Sequence, residues 1–313
     1  MKSKSSPARP PHASVPPATN PRLVALLTEL APHEGFLPSV LPGVKFMRST
    51  RHIPRSPIAY EPGIVIIAQG RKTGYLGGRK IIYDADHYLV LSLPLPFECE
   101  TEGTPEAPLL GLSINVTPAL VTELLLQMEP AAPINSSQPQ VMQAAGLDAT
   151  LADPAVRLLE TLRSATEARI LGPQIVRELV YRVLRGKLGA NLRVLAAPDS
   201  HFGQISRVLH RIHTDYARPY DLPTLARDAG MSVSAFHARF KAFTATSPLQ
   251  YVKNIRLHKA RMLMVNEGLN AGSAALQVGY ESASQFSREF KRLFGTRPAT
   301  MAAELRGALV RLT

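Results

Sequence analysis

The pattern of apolar and polar positions divides the chain into a strand-like region and helical regions. From residue 44 to residue 116, short segments rich in Val, Ile and Leu are separated by Pro, Gly and Asp. This spacing is typical of short strands joined by turns. It predicts seven strands, at Val44–Thr50, Gly63–Gln69, Lys72–Leu76, Arg79–Tyr83, Tyr88–Leu93, Phe97–Glu102 and Leu109–Val116. Gly77-Gly78 predicts a hairpin because it supplies the positive φ of a tight turn. Seven short strands at close spacing predict a sandwich or a small barrel.

Apolar positions three and four apart predict helices on both sides of this region. Before it, Asn20-Pro21 is a helix start, and a leucine stripe follows at Leu23, Leu26, Leu27 and Leu30. After it, the pattern predicts helices from Thr117 to about Met128, from Asp153 to near Ala165, at Pro173–Gly186 and at Phe202–Tyr216. A polar, Pro-rich loop at Glu129–Gln140 and a linker at Pro198-Asp199-Ser200 separate them.

Two similar helix–turn–helix units, joined by one long helix, lie between Asp221 and Met301. The first unit has helices at Leu222–Ala229 and Val233–Thr244, and the second has helices at Gly272–Val278 and Ala283–Phe294. The segment Pro248–Glu267 between them has no internal Pro or Gly and predicts a single helix. The turns contain Gly230 and Gly279, which tolerate turn backbone, and Ser232 and Ser282, which are good N-caps.

The second helix of each unit carries the same apolar pair. Phe236 and Phe240 in the first helix match Phe286 and Phe290 in the second, and Lys follows each pair. Phe at i and i+4 fixes one face of a helix in a core. The opposite face is left to small polar and basic residues, as in a helix presented to the major groove of DNA.

The second unit reads Gly279-Tyr280-Glu281-Ser282-Ala283-Ser284-Gln285-Phe286-Ser287-Arg288-Glu289-Phe290-Lys291-Arg292-Leu293-Phe294-Gly295, then Arg297-Pro298. With the first unit and the linking helix, this stretch resembles the AraC/XylS transcription regulators. The resemblance implies an α+β multidomain fold. It places an N-terminal cupin-like β-barrel and a helical dimerisation segment before an all-α domain of two helix–turn–helix units. The expected domains are a disordered tail (1–19), an effector-binding barrel with dimerisation helices (20–197) and the tandem DNA-binding domain (198–313).

The resemblance also implies a function and partners. We expect a sequence-specific, DNA-binding transcription regulator whose barrel senses a small molecule. Its partners would be double-stranded DNA, a small-molecule effector, RNA polymerase and a second copy of the chain in a homodimer. The two recognition helices would enter successive segments of the major groove, about one helical turn apart.

Positions that relatives use for base contacts are Ser234, His237, Ala238, Ala283, Ser284, Ser287 and Arg288. Arg288 is the strongest candidate because Arg binds guanine O6 and N7 bidentately; a phosphate contact is the alternative. Ala238 stands where relatives commonly have Arg, so the first helix either reads bases less or relies on His237 and Arg239. Phosphate contacts are expected from Arg239, Lys241, Lys291, Arg292 and Arg297. Arg256, Lys259 and Arg261 on the linking helix are expected to be solvated or ion-paired.

Charge supports this division of the chain. The 313 residues have a formal net charge of +12. Residues 198–313 hold 16 Lys/Arg and 8 Asp/Glu, a net charge of +8, which leaves +4 for the remainder. A basic C-terminal region fits binding to a polyanion through counterion release. A solvated basic surface with no such partner is the alternative.

Cysteine content and apolar patterning indicate the compartment. Cys99 is the only cysteine, so no disulfide forms within the chain and a reducing, cytoplasmic location is expected. No apolar run reaches the roughly 18 residues that a membrane-spanning helix needs, and no membrane partner is expected. Met1–Pro21 lacks the apolar middle of a signal peptide.

Residues for catalysis or metal binding are sparse. The strand region contains His52 and His87 but no His-x-His pair, so no metal or cofactor is expected. Alternation points Cys99 inward beside Phe97, as a small buried hydrophobe. In the alternative, both residues lie near an effector pocket and Cys99 reacts with an aldehyde, forming an adduct visible by mass spectrometry. No catalytic triad is evident, and the chain is not expected to be an enzyme. Two other classes remain open: a DNA-binding protein without an effector, and an enzyme fused to a DNA-binding domain.

Overall fold

The computed structural model describes residues 20–129, 140–197 and 200–303. The predicted tail, most of the loop at Glu129–Gln140, and Pro198 and Asp199 of the linker lie outside these residues. The strands in chain order are β1 (Gly35–Pro38), β2 (Val44–Ser49), β3 (Ile53–Tyr60), β4 (Gly63–Gln69), β5 (Arg71–Leu76), β6 (Arg79–Asp84), β7 (His87–Leu91), β8 (Leu95–Glu102), β9 (Leu109–Asn115) and β10 (Met142–Gly146).

Helices flank the strands and form the C-terminal part of the described chain. They are α1 (Pro21–Leu30), α2 (Pro118–Gln127), α3 (Ala149–Thr161), α4 (Ala165–Ile170), α5 (Gly172–Arg185), α6 (Gly189–Arg193), α7 (His201–Thr214), α8 (Leu222–Asp228), α9 (Val233–Thr244), α10 (Pro248–Asn266), α11 (Ala271–Gln277) and α12 (Ala283–Phe294). The predicted α+β organisation is confirmed. Among the described residues, no helix combines the length and apolarity needed to cross a membrane.

The strands form two sheets in which hydrogen-bonded neighbours are antiparallel. The six-stranded sheet has the order β1-β2-β9-β4-β7-β10, and the four-stranded sheet has the order β3-β8-β5-β6. Gly77 and Gly78, with φ of 57° and 80°, connect β5 to β6 in the predicted hairpin. We refer to the two sheets together as the barrel.

The sequence patterns missed three strands, and all three lie at sheet edges. These are β1 and β10 in the larger sheet and β3 in the smaller one. An edge strand bonds to a neighbour on one side only, so its sequence need not follow the apolar pattern of a central strand. Pro54 and Pro57 lie within β3, where an edge position tolerates residues that lack an N–H donor.

The helix expected to start at Asp153 begins earlier. Asp148 caps α3 by accepting a hydrogen bond from the Thr150 amide, and Pro154 lies inside the helix. The prediction that Pro154 marks the first turn was therefore wrong. The same segment continues in a separate helix, α4, for which Ser164 is the N-cap. The short helix α6 was also missed, and its N-cap residue provides no side-chain hydrogen bond.

The larger sheet carries helices on one face. Leu23 and Leu27 of α1, Leu158 of α3 and Leu179 of α5 are fully buried in a core with residues from this face of its central strands. On its other face, the sheet shares a second core with the smaller sheet. That core continues without interruption into α7 and the first helix–turn–helix unit.

The linking helix α10 divides its side chains between two cores. Tyr251 and Ile255 lie in the core shared by the barrel and the first helix–turn–helix unit. Leu257 and Met264, further along the same helix, lie in the core of the second unit. One rigid helix therefore fixes the separation of the two units.

Arg256 connects α10 to loops on both sides. Its guanidinium donates hydrogen bonds to the carbonyl oxygens of Tyr216 at 2.8 Å, Arg218 at 2.8 Å and Gly279 at 3.0 Å. The expectation that Arg256 is solvated or ion-paired was wrong. These carbonyl groups, with a longer contact to the Ala217 carbonyl at 3.4 Å, take the place of a carboxylate, and no sequence pattern indicates such contacts.

Replacement of Arg256 by Ala should destabilise the tandem helical region. The change leaves four carbonyl groups without their charged donor, and hydrogen bonds to charged groups are worth about 1.5–3 kcal/mol. Urea unfolding followed by circular dichroism should show a loss of about 2–3 kcal/mol. Arg227→Ala, which removes one long contact to Thr224 on an exposed surface, is the control and should change stability by less than about 0.5 kcal/mol. Equal effects of the two substitutions would contradict this role.

Candidate nucleic-acid interface

The two helix–turn–helix units, α8–α9 and α11–α12, are built by the same local interactions. Ser232 Oγ accepts the Ala235 amide at 3.3 Å, and Ser282 Oγ accepts the Gln285 amide at 3.2 Å. The second turn requires glycine because Gly279 has a φ of +85°, and a Cβ there would lie 2.3 Å from the Ala217 carbonyl oxygen. Capping and turn geometry thus set the start of each recognition helix, as the sequence predicted.

Each recognition helix is held by its pair of Phe rings. Phe236, Phe240, Phe286 and Phe290 are all fully buried. Their ring centroids are 5.4 Å apart within α9 and 5.5 Å apart within α12. Because the same positions are buried in both helices, both present the same opposite face outward.

The residues predicted to contact bases lie on these outward faces. Ser234, His237, Ala238, Ala283, Ser284 and Arg288 are exposed, and Ser287 is half-buried. Among the residues predicted to contact phosphates, Lys241, Lys291, Arg292 and Arg297 are exposed, whereas Arg239 is half-buried. The base and phosphate contacts themselves remain predictions, and the burial of Arg239 makes it the least accessible of the set.

A residue that the sequence did not single out holds α12 in place. Glu289 accepts hydrogen bonds from Lys253 Nζ of α10 at 2.8 Å and from the Tyr280 hydroxyl at 2.8 Å. Burial raises the pKa of Glu289, but the hydrogen bonds from Lys253 and Tyr280 hold this pKa below its ordinary value. The second recognition helix is therefore attached to the linking helix by a carboxylate on its inner side. Lys253 and Glu289 are 36 residues apart in the chain, so no local sequence pattern predicts that they pair.

The residues predicted for an effector pocket lie within the barrel. Phe97 and Cys99 of β8 are 6% and 3% exposed, in a strand whose burial alternates from residue to residue. Cys99 Sγ lies 3.5 Å from the Tyr83 hydroxyl, and the Phe97 ring meets Tyr60 edge to face at 5.2 Å. Both side chains face the interior, as alternation indicated.

This arrangement defines a class of proteins in which a β-domain is followed along the chain by two tandem helix–turn–helix units. Comparisons with known proteins identify the family. Residues 40–191 match the family model of the AraC-type transcriptional regulator N-terminus, and residues 225–304 match that of a helix-turn-helix domain. The chain belongs to the AraC/XylS family of transcription regulators.

Relatives with curated names match mainly through the C-terminal part. The HTH-type transcriptional regulator AlkR of Acinetobacter baylyi is 35% identical over 95 residues, which is 30% of this chain and 31% of AlkR. The HTH-type transcriptional activator RhaS of Yersinia pestis is 24% identical over 148 residues, which is 47% of this chain and 54% of RhaS. The chain thus spans about a third to a half of the length of these relatives.

A likeness of fold extends over most of the chain. The structure of wild-type ToxT from Vibrio cholerae with an unsaturated fatty acid bound has a TM-score of 0.57 and 13% sequence identity. The match covers 84% of this chain and 96% of that structure. A β-domain followed by tandem helix–turn–helix units is therefore an arrangement that both proteins share.

Proposed function

We propose that this protein is a sequence-specific, DNA-binding transcription regulator whose two recognition helices enter successive major-groove segments. The observation that carries the proposal is the repeated geometry of α9 and α12, with buried Phe pairs on one side and exposed polar and basic residues on the other. Since α10 belongs to both cores, the two faces have a fixed separation. RNA polymerase is the expected protein partner, and the cytoplasm is the expected location.

The barrel is proposed to bind a small-molecule effector. A continuous core joins the barrel to the first helix–turn–helix unit, so a ligand that favours one arrangement of the two shifts DNA binding. The fatty acid bound to ToxT supports effector binding in a protein of this fold. The predicted pocket residues Phe97 and Cys99 lie inside the barrel, and an aldehyde that reacts with Cys99 remains a candidate.

The central helices are proposed to pair two copies of the chain. Large apolar side chains are exposed there: Leu126 of α2 is 83% exposed, Ile170 of α4 is 60% exposed and Tyr181 of α5 is 41% exposed. The helices α2 and α4 each contact α5, and exposed apolar side chains on such helices are suited to a protein–protein contact. A second copy of this chain is the proposed occupant.

Sedimentation velocity should show that the full-length chain is a dimer and that Leu126→Asp shifts it toward monomer, because a charge would be buried at the contact. Ile82→Asp is the matched control, since Ile82 is 42% exposed on the barrel strand β6 and should leave the dimer intact. A wild-type monomer at micromolar concentration, or equal effects of the two substitutions, would refute this contact.

DNA binding can be resolved into base reading and phosphate attraction by one experiment. Fluorescence anisotropy over a salt series would compare the intergenic DNA beside the protein's own gene with unrelated DNA. We expect preference for the intergenic DNA. Arg288→Ala should remove about 1–3 kcal/mol of that preference. The matched variant Arg292→Ala should weaken binding to both DNAs and reduce the salt slope by about 1.

Two results would count against the proposal. Absence of binding to either DNA at low salt would refute DNA binding by this protein. Equal losses on both DNAs for Arg288→Ala would show that Arg288 contacts phosphate rather than base. Urea unfolding of both variants controls for loss of fold.

A further inference from the structure

A cavity of about 250 Å³ lies between the barrel and the linking helix. Phe36, Ile58 and Tyr60 line it from the barrel, and Ile255 and Met262 line it from α10. Pockets for drug-sized ligands are about 300–1,000 Å³, so this volume suits a smaller molecule. The cavity is therefore the size of a small organic ligand, and its apolar walls come from both halves of the protein.

The polar residues around the cavity are mainly basic. Lys45 of the barrel, Lys259 and Arg261 of α10, and His213 of α7 all line it. Among the described residues that line the cavity, Glu61 is the only carboxylate. Three permanent cations against one carboxylate leave an excess of positive charge, so the cavity favours an anion.

His258 is an independent sign that this cavity binds a polar ligand. Its side chain lines the cavity and is only 6% exposed, and neither ring nitrogen has a hydrogen-bond partner in the described part of the chain. Burial, with repulsion from Arg261 and His213, lowers the pKa of His258 to about 3. The neutral ring therefore offers one N–H donor and one acceptor. Buried polar groups are rarely left without such partners.

Glu61 already brings a carboxylate to this basic surface. Its Oε1 lies 3.6 Å from His213 Nδ1, and 47% of its side chain is exposed. Contact with His213, aided by attraction to Lys259 and Lys45, lowers the pKa of Glu61 below its ordinary value. The position is thus suited to a carboxylate, and the exposure of Glu61 leaves its side chain room to move away.

His213 also belongs to a contact that crosses between the two halves. Its Nε2 lies 2.7 Å from the Tyr251 hydroxyl, and that hydroxyl donates to the carbonyl oxygen of Pro94 in the barrel. Because the Tyr251 proton is used for Pro94, His213 Nε2 is the donor to the Tyr251 oxygen, and the contact of Nδ1 with Glu61 is an ion pair when the ring carries both protons. Glu61 and Pro94 of the barrel therefore hold His213 and Tyr251 of the helical half.

We propose that Glu61 is an internal substitute for the effector, and that a small amphipathic monocarboxylate binds in this cavity by replacing the Glu61 carboxylate. The ligand's carboxylate would lie among Lys45, Lys259 and His213, and its apolar chain would lie between Phe36 and Met262. Binding releases the Glu61–His213 contact and thereby alters the attachment of the barrel to α7. The inference rests on the proposed control of DNA binding by an effector, and it places the ligand outside the Phe97–Cys99 interior.

Isothermal titration calorimetry of the full-length protein with octanoate tests this directly. Octanoate should bind the wild type, and 1-octanol, which has the chain without the charge, should bind at least about tenfold more weakly. Glu61→Gln removes the competing carboxylate and should bind octanoate about tenfold more tightly. Lys259→Gln should bind it about tenfold more weakly. The charge-matched controls Glu106→Gln and Lys187→Gln, at exposed positions away from the cavity, should match the wild type.

Three outcomes would overturn the proposal. These are no octanoate binding to the wild type or to Glu61→Gln at millimolar concentration, equal binding of octanoate and 1-octanol, and Glu61→Gln binding no more tightly than Glu106→Gln. Thermal unfolding of each variant shows whether its fold is intact. Anisotropy with DNA on the same samples separates the two proposals, since intact DNA binding without octanoate binding would refute the ligand site alone.

Discussion

The burial of one helix in two cores is the constraint on which the account depends. At one end of α10, Tyr251 packs edge to face on Phe240 of the first recognition helix, with 5.4 Å between ring centroids. Towards its other end, Leu257 and Met264 share a core with Phe286 and Phe290 of the second recognition helix. Moving either unit relative to the other would require one of these cores to open. The spacing of the two outward faces is therefore a consequence of packing, with Arg256 and Glu289 adding polar contacts from the loops and from α12.

The same helix brings the barrel into contact with the DNA-binding part. The Tyr251 side chain is fully buried, and its hydroxyl reaches the Pro94 carbonyl of the barrel. Burial raises the pKa of this hydroxyl well above its ordinary value, so it remains a hydrogen-bond donor. A ligand between the barrel and α10 thus lies within one or two side chains of the residues that position the first recognition helix. These few side chains, with Tyr251 at their centre, are sufficient to connect a bound ligand to the first recognition helix.

Much of the helical architecture could be predicted because its signals are local. The predicted bounds of α9 and α12 agree with the structure, since a Ser cap, a preceding Gly and Phe residues four apart are strong signals within one segment. The central strands were likewise predictable from apolar runs. Edge strands such as β3 were not, because Pro54 and Pro57 interrupt the pattern that burial on both sides produces in a central strand. A helix interior that contains Pro154 also breaks the rule that places Pro in the first turn.

Long-range polar contacts were beyond prediction from sequence. The acceptors of Arg256 are backbone carbonyls, which every residue has, so the sequence cannot indicate which ones accept. The cavity beside Glu61 depends on β3, a missed strand, meeting α10, a predicted helix. Local patterns therefore predicted which helix faces are exposed, whereas the candidate ligand site depends on the contact between the two halves of the protein.

The central claim is that the two recognition helices contact DNA at a fixed separation. Fluorescence anisotropy with variants of the bound DNA tests this claim most directly. The variants carry insertions of about 5 or about 10 base pairs between the two contacted segments, which is about half a helical turn or one full turn. The account predicts that both insertions lower the affinity to that for unrelated DNA, because α10 cannot lengthen to follow the displaced segment. Affinity that is unchanged by either insertion would show that the two units move independently or that only one of them reads DNA, and would contradict the account.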